Sequence, residues 1–277
     1  MTNFRNAGRI VLSWIALLAA QMLAGIAIKI HSPAAANVMY WLVLSDALVV
    51  LALGAAALRS EWRNWTLAGA MFFVPAAIST VNMIEGVLFL PNAHMDWRGI
   101  FALTLLGYAI AAVLWLVIFG SAPVPPSQVE SPLPHCSVAQ IVGRIVLCAA
   151  CYVFLYFLAG TIIFPYVREF YATQRLPPVQ EIVALQFLLR GPVFVLVCLV
   201  LLRMFRMTHL SGALATGLAF TVLSGVAQLI IPNPIFPDAV RWVHFGEVTS
   251  SNFVFGCIVG WVWGHRQHVA QWKTAHA

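Results

Sequence analysis

Long apolar stretches constrain the fold of this chain more than any other feature. Each of eight stretches has about 20 residues, the length an α-helix needs to cross the hydrocarbon core of a bilayer. The stretches cover residues 9–30, 38–58, 66–90, 99–120, 140–164, 182–204, 211–231 and 240–264. Only 9% of the 277 residues are charged, against about a quarter in soluble domains. The sequence therefore predicts an all-α, polytopic membrane protein with eight transmembrane helices.

Lysine and arginine are distributed unequally between the two sides of the predicted membrane. One side holds Arg5, Arg9, Arg59, Arg63, Arg144, Arg203, Arg206, Arg266 and Lys273, and the other holds Lys29, Arg98, Arg168, Arg175 and Arg241. Because cytoplasmic loops carry the excess of positive charge, both termini are predicted to be cytoplasmic. This asymmetry explains the net charge of +6 without a nucleic-acid partner, and the expected partner is the lipid bilayer.

The first stretch follows two arginines, as the core of a signal peptide would. Its apolar run is about 19 residues, longer than the roughly 7–15 residues of a cleavable core. We expect it to be a retained first helix.

Short motifs recur in the two halves of the chain. GRIVL at 8–12 returns at 143–147 and LAG at 23–25 returns at 158–160, in both cases 135 positions later. Four spans in each half would let both halves run in the same direction, related by an axis along the membrane normal. The prediction is two tandem parallel four-helix repeats, at 1–120 and 140–277, with a Pro-rich cytoplasmic linker at 121–139 and a short cytoplasmic tail.

Five ionisable residues lie inside the predicted spans, where charge is costly and is usually retained for a function. They are Asp46, Glu85, Arg190, His244 and Glu247. Counted from the outer helix ends at 1.5 Å per residue, all five lie roughly 6–12 Å below the outer surface. Scattered tolerated charges would rarely share one leaflet, so we predict a common, outward-facing polar site.

Helical spacing groups these residues with polar neighbours. His244, Glu247 and Ser251 follow one another at i, i+3 and i+7, which places them on one helix face. Asn82 lies three residues before Glu85, and Gln186 lies four residues before Arg190. The predicted ligand-binding set is Asp46, Asn82, Glu85, Gln186, Arg190, His244, Glu247, Ser251 and Asn252.

The charges do not follow the repeat. An offset of 144 relates Asp46 to Arg190, so equivalent places carry opposite charges that could meet as an ion pair. An offset of 143 relates Glu85 to Gln228, whereas His244 and Glu247 have only apolar counterparts in the first half. Purely structural roles remain open for the Asp46–Arg190 pair and for the His244–Glu247 pair. A structural role is less expected for Glu85, because it has no basic partner in its own helix.

Other motifs indicate little chemistry. Cys148-x-x-Cys151 lies within a predicted helix, where small packing residues are the more common explanation. His244, Glu247 and either Glu85 or Asp46 offer N and O ligands suited to a metal, so metal-assisted chemistry stays open. A single H-x-x-E is a weak pattern, however, and the sequence does not identify a cofactor. Gly256, Gly260 and Gly264 form a small-residue stripe that suits close packing against another helix, in this chain or in a partner.

Three functional hypotheses follow. The leading one is transport or binding of a small polar or cationic solute, or of protons, with Glu85 or Glu247 as the carrier. The alternative is an intramembrane enzyme acting on a lipid or quinone-like substrate, in which His244 is the base, Glu247 orients it and Arg190 holds an anionic head group. The third is a non-catalytic assembly or sensor subunit that uses the glycine stripe.

Overall fold

The computed structural model describes residues 2–29, 36–90, 96–122, 136–174, 176–233 and 236–264. Within these ranges the chain is helical and contains no strand. The long helices are α1 (Thr2–Ala27), α2 (Ala36–Arg59), α3 (Asn64–Phe89), α4 (Trp97–Gly120), α5 (Val138–Ala172), α6 (Val179–Phe205), α7 (His209–Leu229) and α8 (Asp238–Trp263).

Seven of these helices, α1 to α7, are long and apolar enough to cross a membrane. The all-α architecture of a multi-pass membrane protein is therefore as predicted. Helix α8 has 26 residues but is not among the seven. Its central run Glu247–Asn252 is polar apart from one valine, which lowers its mean hydropathy. The eighth span stays a prediction.

Several predicted features lie outside the described residues. They include most of the linker at 121–139, of which 123–135 are not described, and the tail beyond residue 264. The predicted end of the fifth span, at 164, was wrong: α5 continues through Pro165 to Ala172. Proline is tolerated inside membrane helices because neighbouring groups satisfy the backbone that it leaves free.

Two helices contain a wide, π-helical turn. In α6 the turn is Leu185–Arg190, directly before Gly191-Pro192, and the Gly191 N–H donates to the Gln186 carbonyl five residues back. In α7 the turn is Val222–Val226. A π-turn locally replaces the i→i+4 pattern and is frequent at functional sites. The turn of α6 contains Gln186 and Arg190 of the predicted site, whereas α7 carries none of the predicted residues.

The helices pack in an antiparallel manner. In the first half α1 and α3 both pack against α4, and in the second half α5 and α7 both pack against α8. We call the end at which α1, α3, α5 and α7 finish the far end, and the opposite end the near end. The fully buried aromatic side chains Trp115, Phe119, Phe194, Phe220 and Phe255 lie in the core between the helices.

The near end holds a cluster of ion pairs. Glu61 accepts from Arg203 at 2.7 Å and forms an ion pair with Arg206 at 3.1 Å, which ties the turn between α2 and α3 to the end of α6. Arg63 donates to the carbonyls of Ser60 and Ala122 in the same region. Arg63, Arg203 and Arg206, which the sequence assigned to the cytoplasmic side, therefore also hold the helix ends together.

The predicted glycine stripe of α8 packs against α7 of the same chain. A Cβ at position 256 would lie 2.7 Å from the Gly217 Cα, and one at position 260 would lie 2.5 Å from the Ala213 Cα. A Cβ at position 264 would lie 2.9 Å from Cδ2 of the His209 ring. Within the chain, α7 therefore supplies a close neighbour for the stripe, and a partner helix on α8 stays a prediction.

The α7–α8 contact predicts a position-dependent effect of alanine. Gly256→Ala should destabilise the protein by about 1–3 kcal/mol, because the added methyl group overpacks a backbone contact. Gly246→Ala, in the same helix but with no atom within 4 Å of the new Cβ, should be neutral or stabilising, since alanine favours a helix over glycine. Thermal unfolding of both purified variants measures the difference. Equal melting temperatures would contradict the close approach.

Candidate functional site

A cavity of about 590 Å³ lies between the helices. Its lining runs from Pro75 and Val49, well inside α3 and α2, to Leu90 and Phe236 in the loops of the far end. Helices from both halves of the chain contribute to it. A volume of this size is typical of small-molecule sites, which are mostly apolar with a few convergent polar groups.

The cavity collects the polar residues of the predicted set. Eight of the nine line it, namely Asp46, Asn82, Glu85, Arg190, His244, Glu247, Ser251 and Asn252. Gln186 is fully buried and hydrogen-bonds Glu85 from outside the lining. Residues taken from four helices, α2, α3, α6 and α8, thus share one space, although whether they bind a ligand stays a prediction.

An ion pair between α3 and α6 forms the most connected part of the lining. Arg190 Nη1 donates to Glu85 Oε2, and Gln186 Nε2 donates to Glu85 Oε1 at 2.8 Å. Arg190 Nη2 donates to Asn82 Oδ1 at 2.8 Å. The side chains of Arg190 and Glu85 are only 8% and 17% exposed. Glu85 and Arg190 therefore neutralise each other, and both carboxylate oxygens of Glu85 are occupied.

Aromatic rings cover the rest of the Arg190 guanidinium. Its central carbon lies 5.1 Å from the ring centre of Phe194 and 5.8 Å from that of Tyr152. Such distances are within the range of cation–π attraction, which grows when the pair is removed from water. Arg190 is thus held on several sides.

The predicted pairing of Asp46 with Arg190 was wrong. Arg190 is taken by Glu85, and Asp46 instead accepts from Gln21 Nε2 at 3.0 Å through its Oδ1 atom. The other oxygen, Oδ2, is buried and has no hydrogen-bond partner among the described residues. Sequence equivalence in the repeat did not predict this pairing, because the partner of Arg190 comes from α3 and not from the helix equivalent to its own.

A second polar group lies on α8 and α5. His244 Nδ1 is hydrogen-bonded to Glu247 Oε2 at 2.7 Å, and His244 Nε2 is hydrogen-bonded to the Tyr171 hydroxyl at 2.9 Å. The His244 and Glu247 side chains are 12% and 11% exposed. The imidazole is therefore fixed between a carboxylate and a phenol, an arrangement suited to moving a proton.

Polar groups of α7 complete the lining near its wide turn. Asn82 Nδ2 donates to Gln228 Oε1 at 2.7 Å, and Asn252 Nδ2 donates to Ser224 Oγ at 2.8 Å. Ser45 of α2 donates to the Ala227 carbonyl at 2.6 Å. These bonds connect α7 to α2, α3 and α8, so the cavity wall is held together by polar contacts between the halves.

Several lining residues were absent from the predicted set. Tyr171 lies beyond the predicted end of α5, so the boundary error hid it. Tyr152 and Tyr156 are four residues apart on α5, and this spacing alone placed both on one face. Gln21 and Gln228 were visible as polar residues within spans, but only the fold reveals their partners.

The site carries an excess of negative charge. Counting Asp46, Glu85 and Glu247 against Arg190, with His244 neutral, leaves two negative charges among the lining residues. Among the described residues, no three His, Cys, Asp or Glu side chains lie close enough together to hold a metal ion. The arrangement can attract a cation at Asp46 and can exchange a proton at His244 and Glu247.

The ion pair predicts unequal effects of two isosteric substitutions. Glu85→Gln should destabilise the protein by about 3–5 kcal/mol, because it leaves the buried Arg190 charge uncompensated. Asp46→Asn should cost far less, since Asp46 has no cationic partner among the described residues. Thermal unfolding in detergent measures both. A larger loss for Asp46→Asn would contradict the observed pairing.

No protein-family model, curated protein or solved structure significantly matches the chain. The function of the site is therefore inferred from the geometry and chemistry of its own residues.

Proposed function

We propose that this protein binds a small polar or cationic solute in the cavity and carries it across the bilayer. The observation that carries the proposal is the shared lining: ionisable residues from α2, α3, α6 and α8 surround one cavity of about 590 Å³. Charged groups at membrane depth are retained where they serve a pathway or a ligand. The far-end loops in the lining support access from that side of the membrane.

The charge balance favours a cation over an anion. After Glu85 and Arg190 neutralise each other, Asp46 and Glu247 remain as the acidic groups of the lining. In a cavity with low-dielectric walls, unbalanced negative charge raises the local concentration of cations. An anion would be repelled by this negative charge, and Arg190 is already paired with Glu85.

The contacts of Glu85 argue against this residue as the carrier of a proton or a cation. Glu85 is held by Arg190 and Gln186, so releasing it would break a buried ion pair. The Glu247 carboxylate is hydrogen-bonded to His244 through Oε2, and His244 is in turn hydrogen-bonded to Tyr171. We therefore assign proton exchange to Glu247 and His244, and a structural role to Glu85.

We further propose that α8 is an eighth span and that both termini are cytoplasmic. The length of α8 and its packing against α5 and α7 support a membrane position. His244, Glu247, Ser251 and Asn252 line the cavity, and the exposed Ser250 hydroxyl donates to carbonyls of its own helix. Membrane helices accommodate polar groups in these ways. The arginines gathered at the near end support a cytoplasmic location for that end.

The tandem repeat is also part of the proposal. The first and third helices of each half pack against the fourth, and across the halves α3 contacts α6 while α2 contacts α7. If each helix is replaced by its equivalent in the other half, the contact of α3 with α6 becomes the contact of α7 with α2, and the reverse also holds. This correspondence supports two parallel repeats related by an axis along the membrane normal.

The alternative, an intramembrane enzyme, has one observation in its favour. The hydrogen-bonded series Glu247–His244–Tyr171 holds an imidazole as acid–base catalysis requires. Its second requirement, an arginine for an anionic head group, is weakened because Arg190 already binds Glu85 and Asn82. The assembly hypothesis is weakened, since α7 packs closely against the glycine stripe. Solute binding and transport therefore remain the better-supported function.

The topology is tested with reporter fusions at the C-terminus. Because the near end is assigned to the cytoplasm, a C-terminal green fluorescent protein should fluoresce and a C-terminal alkaline phosphatase should be inactive. A phosphatase fused after Thr173, at the far end, should be active. The reverse pattern would show that the proposed orientation is inverted.

Charge-selective labelling tests the cavity without knowledge of its ligand. Ser251→Cys is introduced into a background whose five native cysteines are replaced by alanine, and intact cells receive membrane-impermeant methanethiosulfonates. The cationic trimethylammonium reagent should react at least about tenfold faster than the anionic sulfonate, after correction for their rates with free cysteine, because the cavity concentrates cations. Adding Glu247→Gln should reduce that ratio.

Thr173→Cys serves as the matched control, since Thr173 lies at the far end outside the cavity lining. It should be labelled with little preference for charge. If Thr173→Cys is labelled and Ser251→Cys is not, the cavity does not open to that side. Equal rates of the two reagents at Ser251→Cys would contradict cation selectivity.

A further inference from the structure

We infer that the ligand is an organic ammonium ion with an apolar body, and that Asp46 is its anchor. This inference rests on the proposed function and specifies the substrate class of the same cavity. It starts from the one carboxylate oxygen in the lining that is both buried and without a partner among the described residues, Asp46 Oδ2. A buried acceptor left without a hydrogen bond is costly, and native structures usually supply a partner.

The geometry of Asp46 is that of a prepared acceptor. The residue is only 6% exposed, and Gln21 Nε2 holds its Oδ1 atom at 3.0 Å. Asp46 lines the cavity, and with Oδ1 fixed by the amide its buried Oδ2 atom stays without a partner among the described residues. An N–H group that carries positive charge would complete both the hydrogen bond and the charge balance, and such charge-assisted bonds are the strong ones.

An anionic ligand is disfavoured by the state of Arg190. Both of its terminal nitrogens donate within the chain, one to Glu85 and the other to Asn82. Its Nε atom is buried without a partner, but the rings of Phe194 and Tyr152 lie against the guanidinium. Asp46 would in addition repel an anion from the same cavity.

An inorganic cation is disfavoured by the number of acidic ligands. Ca²⁺ takes six to eight oxygen ligands and Zn²⁺ takes about four N, O or S ligands. The other acids are engaged elsewhere, Glu85 with Arg190 and Glu247 with His244. A single carboxylate can instead hold an ammonium group, which needs one or two acceptors.

The remaining wall suits an apolar ligand body. Side chains such as Leu42, Val49, Leu103 and Tyr108 line the same cavity as Asp46. Aromatic rings also attract a cation over their faces. A volume of about 590 Å³ exceeds what a simple metal ion or ammonia would fill. The size, the apolar wall and the buried, unpartnered Asp46 oxygen together fit an amine with an aryl or alkyl substituent.

Matched ligand series test this inference on the purified protein in lipid nanodiscs. Binding is measured by equilibrium dialysis for phenylalkyl amines of increasing length, for the corresponding alcohols and for the corresponding carboxylates, against empty nanodiscs. The best amine should bind at least about tenfold more tightly than its alcohol, and the carboxylate should bind more weakly still. This comparison uses the wild-type protein and does not depend on the folding of any variant.

Two substitutions assign the effect to Asp46. Asp46→Asn keeps the shape of the side chain and removes its charge, so the amine and its alcohol should then bind within about twofold of each other. Asp96→Asn is the matched control, because Asp96 caps the start of α4 outside the cavity lining and asparagine also caps a helix. Asp96→Asn should keep the preference for the amine.

The outcomes separate this inference from the proposed function. Equal binding of alcohols and amines to the wild type, or a preference for amines that survives Asp46→Asn, overturns the assignment of Asp46. If alcohols or carboxylates bind and Glu247→Gln weakens their binding, solute binding in the cavity stands and only the ammonium class is rejected. If no member of the three series binds, the ammonium class is rejected, and the solute-binding function is then decided by the labelling of Ser251→Cys.

Discussion

The buried ion pair between Glu85 and Arg190 is the interaction on which the rest of the site depends. It joins a helix of the first half to a helix of the second, and Asn82 and Gln186 supply the remaining hydrogen bonds on either side. In a low-dielectric interior, charges are tolerated only when they are paired and hydrogen-bonded. Because Arg190 is engaged in this pair, it does not neutralise the other acidic groups of the cavity. The negative character of the lining thus follows from how completely Arg190 is engaged.

The sequence predicted the helical architecture well and the partners within it poorly. Apolar length identifies a membrane helix locally, so the seven apolar helices could be predicted from composition alone. Depth counting also brought Asp46, Glu85, Arg190, His244 and Glu247 into one leaflet, and all five line the same cavity. The pairing of Arg190 depends on helix rotation and neighbour identity, which a single sequence does not contain. The end of α5 was missed because proline normally ends a helix in water, and Tyr171 was missed with it.

The two polar centres of the cavity differ in chemical character. Among the described residues, Asp46 accepts a hydrogen bond from Gln21 through Oδ1, and its Oδ2 atom has no partner. Tyr171, His244 and Glu247 form a hydrogen-bonded series in which a proton can change position. A carrier that exchanges a cation for a proton needs both kinds of group within reach of one space. Because Asp46 lies on α2 and the His244–Glu247 pair lies on α8, each polar centre can be altered without the other.

The wide turns of α6 and α7 place an unusual constraint on the length of these helices. A π-turn holds one residue more than an α-turn, so removing a single residue at Leu185–Arg190 would restore a regular helix. Because the wide turn absorbs its extra residue locally, the helix on either side would keep nearly the same orientation. A deletion between Gln186 and Arg190 would instead change the spacing of the two side chains that contact Glu85, although neither had been substituted. In these two helices the number of residues, and not only their identity, therefore specifies the cavity.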